Sequence, residues 1–164
     1  MVTEAPFRAD DHAWMQHALE LARRAEAEGE VPVGAVVVRD GVMLGEGWNR
    51  NIALHDPSAH AEILALRAAG LALGNHRMPG CVMYVTLEPC AMCVSAAIHA
   101  RLQQVTFGAP DPKTGALGGA YNLPDVHPHN HEIAWRGGLL GDQAGEMLRD
   151  FFRSKRDGGG PAVI

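Results

Sequence analysis

The strongest constraint on this chain is a pair of short stretches set well apart, Ser58-Ala59-His60-Ala61-Glu62 and Glu88-Pro89-Cys90-Ala91-Met92-Cys93. A fold that uses both must bring one His and two Cys to a common point. Three N/S ligands suit a catalytic zinc, whose fourth tetrahedral position stays open for water. A structural zinc would usually be closed by a fourth protein ligand, and the chain, with three Cys in all, has no second Cys pair to supply one. Each part has a plainer reading. Cys-x-x-Cys can be a redox pair or half of a structural zinc site, and His-x-Glu arises by chance. The two in sequence, with a strand-like run between them, are much rarer than either alone.

The spacing has a mechanical reason. Pro89 suits the first turn of a helix, where its missing N–H would be unsatisfied anyway. Cys90 and Cys93, three apart, share one helix face. The positive end of a helix dipole favours thiolates over thiols. Asp56-Pro57-Ser58 reads as a second helix start, which puts His60 in the first turn. Two helix N-termini can therefore aim His60, Cys90 and Cys93 at one ion, with Glu62 beside them free to move protons. His-x-Glu followed by Pro-Cys-x-x-Cys is the signature of zinc-dependent nucleobase deaminases.

Taken in order, residues 10–28 read as an amphipathic helix, with Trp14, Ala18, Leu21, Ala22 and Ala25 inward and Gly29 as its stop. Val33–Val38 is a β-branched run suited to a strand buried on both faces. Asp40-Gly41 signals a two-residue hairpin. The returning strand has Val42, Leu44 and Trp48 on one side, while Gly45 and Gly47 point to a bulge or a close backbone approach. Asn49, at its end, is either a turn residue or an amide aimed at a ligand. A helix over 58–69 stops at Gly70. Val82–Leu87 is a central strand, and residues 90–100 form a helix apolar nearly all round and hence buried. Val105–Phe107 completes a right-handed parallel strand–helix–strand unit. Its ligands lie at the carboxyl end of a strand, where open α/β sheets place their sites. Residues 109–131 are loop-rich, Glu132–Trp135 is a fifth strand, and 141–156 is the last helix, with Ala144, Met147, Leu148, Phe151 and Phe152 inward. Cys81 reads as a core thiol. His127, His129 and His131 alternate in a loop split by Pro128, with no Cys or carboxylate cluster, which argues against a second metal. Residues 1–157 read as one domain and 158–164 as a disordered tail.

The length of 164 residues suits one domain with a normal core. Three Cys, two of them taken as ligands, leave no disulfide framework, which fits a reducing cytoplasmic setting. The net charge of −5 argues against a general nucleic-acid coat while leaving room for a local basic patch. Arg149, Arg153 and Arg156 share a face of the last helix, either as a solvated surface paired with Asp150 and Asp157 or as a phosphate-binding stripe. No targeting or membrane-spanning segment is apparent.

The runs Val31–Val36, Gly45–Arg50, His55–Ile63, Tyr84–Cys93, Phe107–Ala109 with Asp111 and Lys113-Thr114-Gly115, and Asp150–Arg153 together resemble the bacterial tRNA-specific adenosine deaminases. The likeness extends from about residue 12 to 156 and is loose over 121–131, where chiefly Asn130-His131 are shared. It implies a three-layer α/β/α cytidine-deaminase-like fold with a central five-stranded mixed sheet. It implies a homodimer with one Zn2+ per subunit and hydrolytic deamination of adenosine to inosine at the wobble position of a tRNA anticodon, typically that of arginine tRNA. It makes Asn49 a contact to the flipped nucleotide and sets Asp111, Lys113, Arg149 and Arg153 near the anticodon loop. Glu62 would be the proton shuttle for the attack of zinc-activated hydroxide on C6. A deaminase of a free base or nucleotide, of guanine or cytosine type, would share the zinc core. A non-catalytic zinc RNA-binding subunit would lack a working acid/base group, and Glu62 argues against it.

Overall fold

The structure is a computed structural model and describes residues 5–126 and 128–158. Its elements are α1 (Ala9–Ala27), β1 (Gly34–Arg39), β2 (Val42–Trp48), α2 (Ala61–Leu73), β3 (Val82–Leu87), α3 (Ala91–His99), β4 (Gln104–Ala109), a single turn α4 (Leu123–Val126), β5 (Ala134–Arg136) and α5 (Gly141–Asp157). The five strands form one sheet in the order β2-β1-β3-β4-β5. β1 runs antiparallel to both β2 and β3, whereas β3–β4 and β4–β5 are parallel, so the sheet is mixed as expected. Alternate side chains of β1 and β3 feed two cores. Val36, Val38 and Tyr84 pack with Met15, Ala18 and Leu21 of α1. Ala35, Val37, Met83 and Val85 pack with Ala61, Ala65 and Ala69 of α2 and Val94 and Ala97 of α3. Leu19 of α1 meets Ala144 of α5, which places α5 on the α1 side and completes three layers.

The hairpin forms at Asp40-Gly41, both with positive φ (52° and 73°), the twist that joins antiparallel strands tightly. Beyond it the register slips: Val38 pairs with Met43 and Val37 with Gly45, leaving Leu44 as the extra residue of a bulge. The slip corrects the expectation of one shared side. Leu44 packs on the α2 face and Trp48 on the α1 face. It also turns Gly45 and Gly47 to α2, which lies so close that a Cβ on Gly45 would sit 2.4 Å from the Ala69 nitrogen and one on Gly47 would sit 2.5 Å from the Ala61 oxygen. The two glycines seat α2, and with it His60 and Glu62.

Four helix expectations are corrected. α2 starts at Ala61 because Asp56 Oδ1 takes the Ser58 N–H (2.8 Å) and hydroxyl (2.7 Å), a local turn that holds 56–58 out of the helix. It runs through Gly70 and ends at Gly74, whose φ of 64° provides the left-handed cap. α3 is buried on one face only, through Cys93, Val94, Ala97 and Ile98, while Met92 is 37% exposed. In α5, Phe151 is buried and Phe152 exposed. Cys81 is fully buried, as a core thiol should be. Gly158 caps α5, and the rest of the expected tail lies outside the described residues. No helix among the described residues is long and apolar enough to cross a membrane.

Candidate metal centre and active site

Both motifs end at the start of a helix, but the ligands sit differently from expectation. His60 (φ −72°, ψ 152°) and Cys90 (φ −75°, ψ 174°) are the extended N-cap residues of α2 and α3, not members of the first turn, and Pro89 precedes the helix. Cys93 lies one turn into α3. Asn49, at the end of β2, explains the first cap. Its Oδ1 accepts the Ala61 N–H at 2.8 Å, so α2 begins where that bond is made. Because Ala61 N is a donor, the bonded atom of Asn49 must be oxygen. The Nδ2 makes no hydrogen bond to a described residue. Asn49 thus fills the structural part weighed for it, as a cap where β2 meets α2.

His60 Nδ1 lies 3.6 Å from Cys90 Sγ and 3.5 Å from Cys93 Sγ. Tetrahedral zinc with ordinary Zn–N and Zn–S lengths separates a nitrogen and a sulfur ligand by about 3.5 Å. The three donor atoms lie within 4.8 Å of one another and form the one such group among the described residues. The donor set and spacing fit zinc with one position left open. A hydrogen bond from Cys93, and another from His60, hold Cys90 down to about 4, while Cys93 is pushed up by the same bond to Cys90 and by burial. His60 is raised, first by its hydrogen bond with Cys90. A dication held by these groups would favour the thiolate form of both Cys.

Glu62 is buried (4% exposed) in the first turn of α2, where its carboxyl meets the Cys93 thiol. Burial pushes it up to about 7, against the lowering effect of its own backbone N–H and of His60. A carboxyl poised there can both accept and return a proton near neutrality. A cavity opens beside His60, lined by Glu30, Val31, Asn51, Ile52, Phe151 and Lys155 among others. Glu30, 2% exposed, accepts the N–H groups of Ile52 and Ala53 at 3.0 Å each and so fixes that wall.

The remaining expected site residues are Asp111, whose backbone N–H is held by Glu88 at 2.8 Å, and three exposed cations. Asp111 turns its carboxylate on its own loop, to Lys113 N (2.9 Å), Thr114 N (3.2 Å) and Thr114 Oγ1 (2.8 Å), and Lys113 is exposed. Arg149 is exposed, and Arg153 pairs with Asp150 at 3.2 Å, also in the open. The cation that reaches the cavity is Lys155. Its spacing of four from Phe151 puts both on one face. Of the three His in the late loop, His129 Nε2 contacts the Leu123 carbonyl (3.2 Å) and His131 Nε2 the Leu102 carbonyl (2.6 Å), while His127 lies outside the described residues.

A mixed five-stranded sheet between helices, with a His–Cys–Cys cluster at two helix starts and a buried glutamate two residues from the His, defines the zinc-dependent deaminase class. Residues 8–109 match the cytidine and deoxycytidylate deaminase zinc-binding region. The chain is 45% identical over 148 residues to the tRNA-specific adenosine deaminase of Haemophilus influenzae, covering 90% of this chain and 86% of that one. It therefore belongs, within that class, to the tRNA-specific adenosine deaminase family. A solved structure from a study of A-to-I editing by tRNA:A34 deaminases superposes with a TM-score of 0.76 at 42% identity, covering 83% of this chain and 99% of that chain. The guanine deaminase of Nitrosomonas europaea superposes with a TM-score of 0.70 at 29% identity, covering 92% and 86%.

Proposed function

We propose that this chain hydrolytically deaminates adenosine to inosine at the wobble position of a tRNA anticodon, that of arginine tRNA. In this reading residues 1–157 act as one deaminase domain, in the cytoplasm, as a homodimer with one zinc ion per subunit. His60, Cys90 and Cys93 hold the ion, which when bound supplies an activated water at neutral pH. Glu62 takes a proton from the attacking water and delivers it to N1 of the adenine, then assists departure of ammonia from C6. The Nδ2 of Asn49 contacts the flipped nucleotide. Asp111 shapes the loop that carries Lys113 to the anticodon, and Arg149, Arg153 and Lys155 of α5 meet its phosphates. A single-stranded anticodon loop offers the base already splayed, which keeps extrusion cheap.

The observation that carries this reading is the 45% identity, over 90% of the chain, to a tRNA-specific adenosine deaminase, together with Glu62 buried two residues from His60. The likeness to the guanine deaminase favours one rival, a free-base deaminase with the same zinc core. Incubation with an anticodon stem-loop bearing adenosine at the wobble position, beside free adenine, guanine and cytidine, separates them. Inosine in the stem-loop with the free compounds untouched supports the proposal. Turnover of a free base with the stem-loop unchanged defeats it.

A further inference from the structure

Glu88 stands directly before Pro89 and Cys90, yet neither metal binding nor proton transfer uses it. It is 2% exposed. No ion pair compensates it among the described residues. What it has instead is backbone. Oε1 accepts the N–H groups of Leu117 (2.9 Å) and Gly119 (2.8 Å), and Oε2 accepts that of Asp111 (2.8 Å). The segment from Asp111 to Gly119 is wrapped round this carboxylate, which supplies the acceptors that a partner strand would otherwise provide. The loop is also tied to the metal-binding turn, through the Ala116 N–H on the Pro89 carbonyl at 2.9 Å. Two glycines allow the close fit. A Cβ on either Gly115 or Gly119 would lie 2.3 Å from an atom of the Glu88 carboxylate. A loop held this way beside the cluster, with Lys113 and Thr114 exposed, is a preformed surface and not a slack connection.

We propose that Glu88 is a positioning residue: its buried carboxylate holds residues 111–119 as a rigid wall beside the metal-binding cluster, and RNA affinity depends on that wall while zinc binding and proton transfer do not. The proposal rests on the tRNA reading of the site. It also separates two buried glutamates by their surroundings. Glu62 lies beside the thiols, whereas Glu88 is surrounded by the N–H donors of the loop it holds.

The test uses zinc-loaded protein and two variants. Glu88→Gln keeps the shape but turns an NH2 group toward N–H donors, and Gly119→Ala leaves Glu88 in place and drives a methyl group into its carboxylate. Amide exchange over residues 109–121 should rise about tenfold in both, because the protecting acceptors are disturbed. Zinc content should stay at the wild-type level. On the wobble-adenosine stem-loop, KM should rise about tenfold with kcat within roughly threefold, the pattern of lost substrate binding. Unchanged exchange, lost zinc, or a fallen kcat at unchanged KM would each overturn the proposal, the last because mere loss of folded enzyme does just that. Wild-type protein inert on the stem-loop would instead sink the functional reading, and this proposal with it. Unmoved KM in variants of an active enzyme sinks the proposal alone.

Discussion

Replacing Glu62 by Gln tests the raised carboxyl through stability, independently of turnover. The folded protein holds the Glu62 proton up to about pH 7, whereas an unfolded chain releases it near 4.5. Between those values the folded state binds more protons, so the stabilising contribution is full below pH 4.5 and is lost as pH rises through 7. At about 1.4 kcal/mol per pKa unit, the difference amounts to about 3 kcal/mol. Gln cannot ionise. Chelator-stripped Glu62→Gln should therefore match stripped wild type at low pH and exceed it by about 3 kcal/mol at pH 8. Cys90 works in the opposite direction, since its depressed value adds stability as pH rises above about 4. Comparing the two proteins in the same buffers removes the part of that contribution that does not depend on the Glu62 charge. Urea unfolding at several pH values gives the midpoints and slopes needed. With zinc present the gap should shrink, because a nearby dication favours the carboxylate. Superimposable pH profiles for stripped wild type and variant would refute the claim that burial holds this carboxyl up, and with it the physical basis for its proton shuttle.

Cys90→Ala should lose both zinc and deamination, read by metal analysis of the purified protein; a full zinc complement would exclude Cys90 as a ligand. Gly47→Ala forces a methyl group against the Ala61 oxygen and the Ala65 nitrogen, at 2.5 and 2.7 Å. It should cost about 1–3 kcal/mol in urea unfolding and weaken zinc binding, because α2 carries His60. Arg149→Ala should weaken stem-loop binding and lower the salt slope by about 0.7 for a lost single-strand phosphate contact. Arg153→Ala, starting from an arginine already paired with Asp150, should have the smaller effect, and unchanged slopes in both would return these residues to an ordinary solvated helix face.

How much of this could be read from the sequence follows from where each signal resides. The buried strand at Val33–Val38, the hairpin at Asp40-Gly41 and the parallel pair β3–β4 are written in local pattern and turn chemistry, and they formed. The convergence of His60, Cys90 and Cys93 was legible because zinc chemistry demands a rare combination of residues at set spacing. The exact helix starts were not, because Asn49 decides one of them from twelve residues away by accepting the Ala61 N–H. Gly70 misled because a glycine inside a helix costs only about 1 kcal/mol, which α2 recovers by packing on the sheet; the true stop, Gly74, is marked by its φ of 64°, which the letter alone does not reveal. Glu30 and Glu88 were passed over for a related reason. Periodicity finds apolar faces, and a buried carboxylate serves none; its partners are N–H groups of loops whose paths no local pattern fixes. The same limit explains Asp111, Lys113, Arg149 and Arg153. Glu88 holds the loop of Asp111 and Lys113 beside the metal-binding turn, but the Asp111 carboxylate closes on its own loop while Lys113, Arg149 and Arg153 stay exposed, as expected of contacts whose other half would belong to a second molecule. The sequence therefore specifies strongly those site residues whose geometry the protein itself must close around one ion, and only weakly those whose geometry the substrate completes.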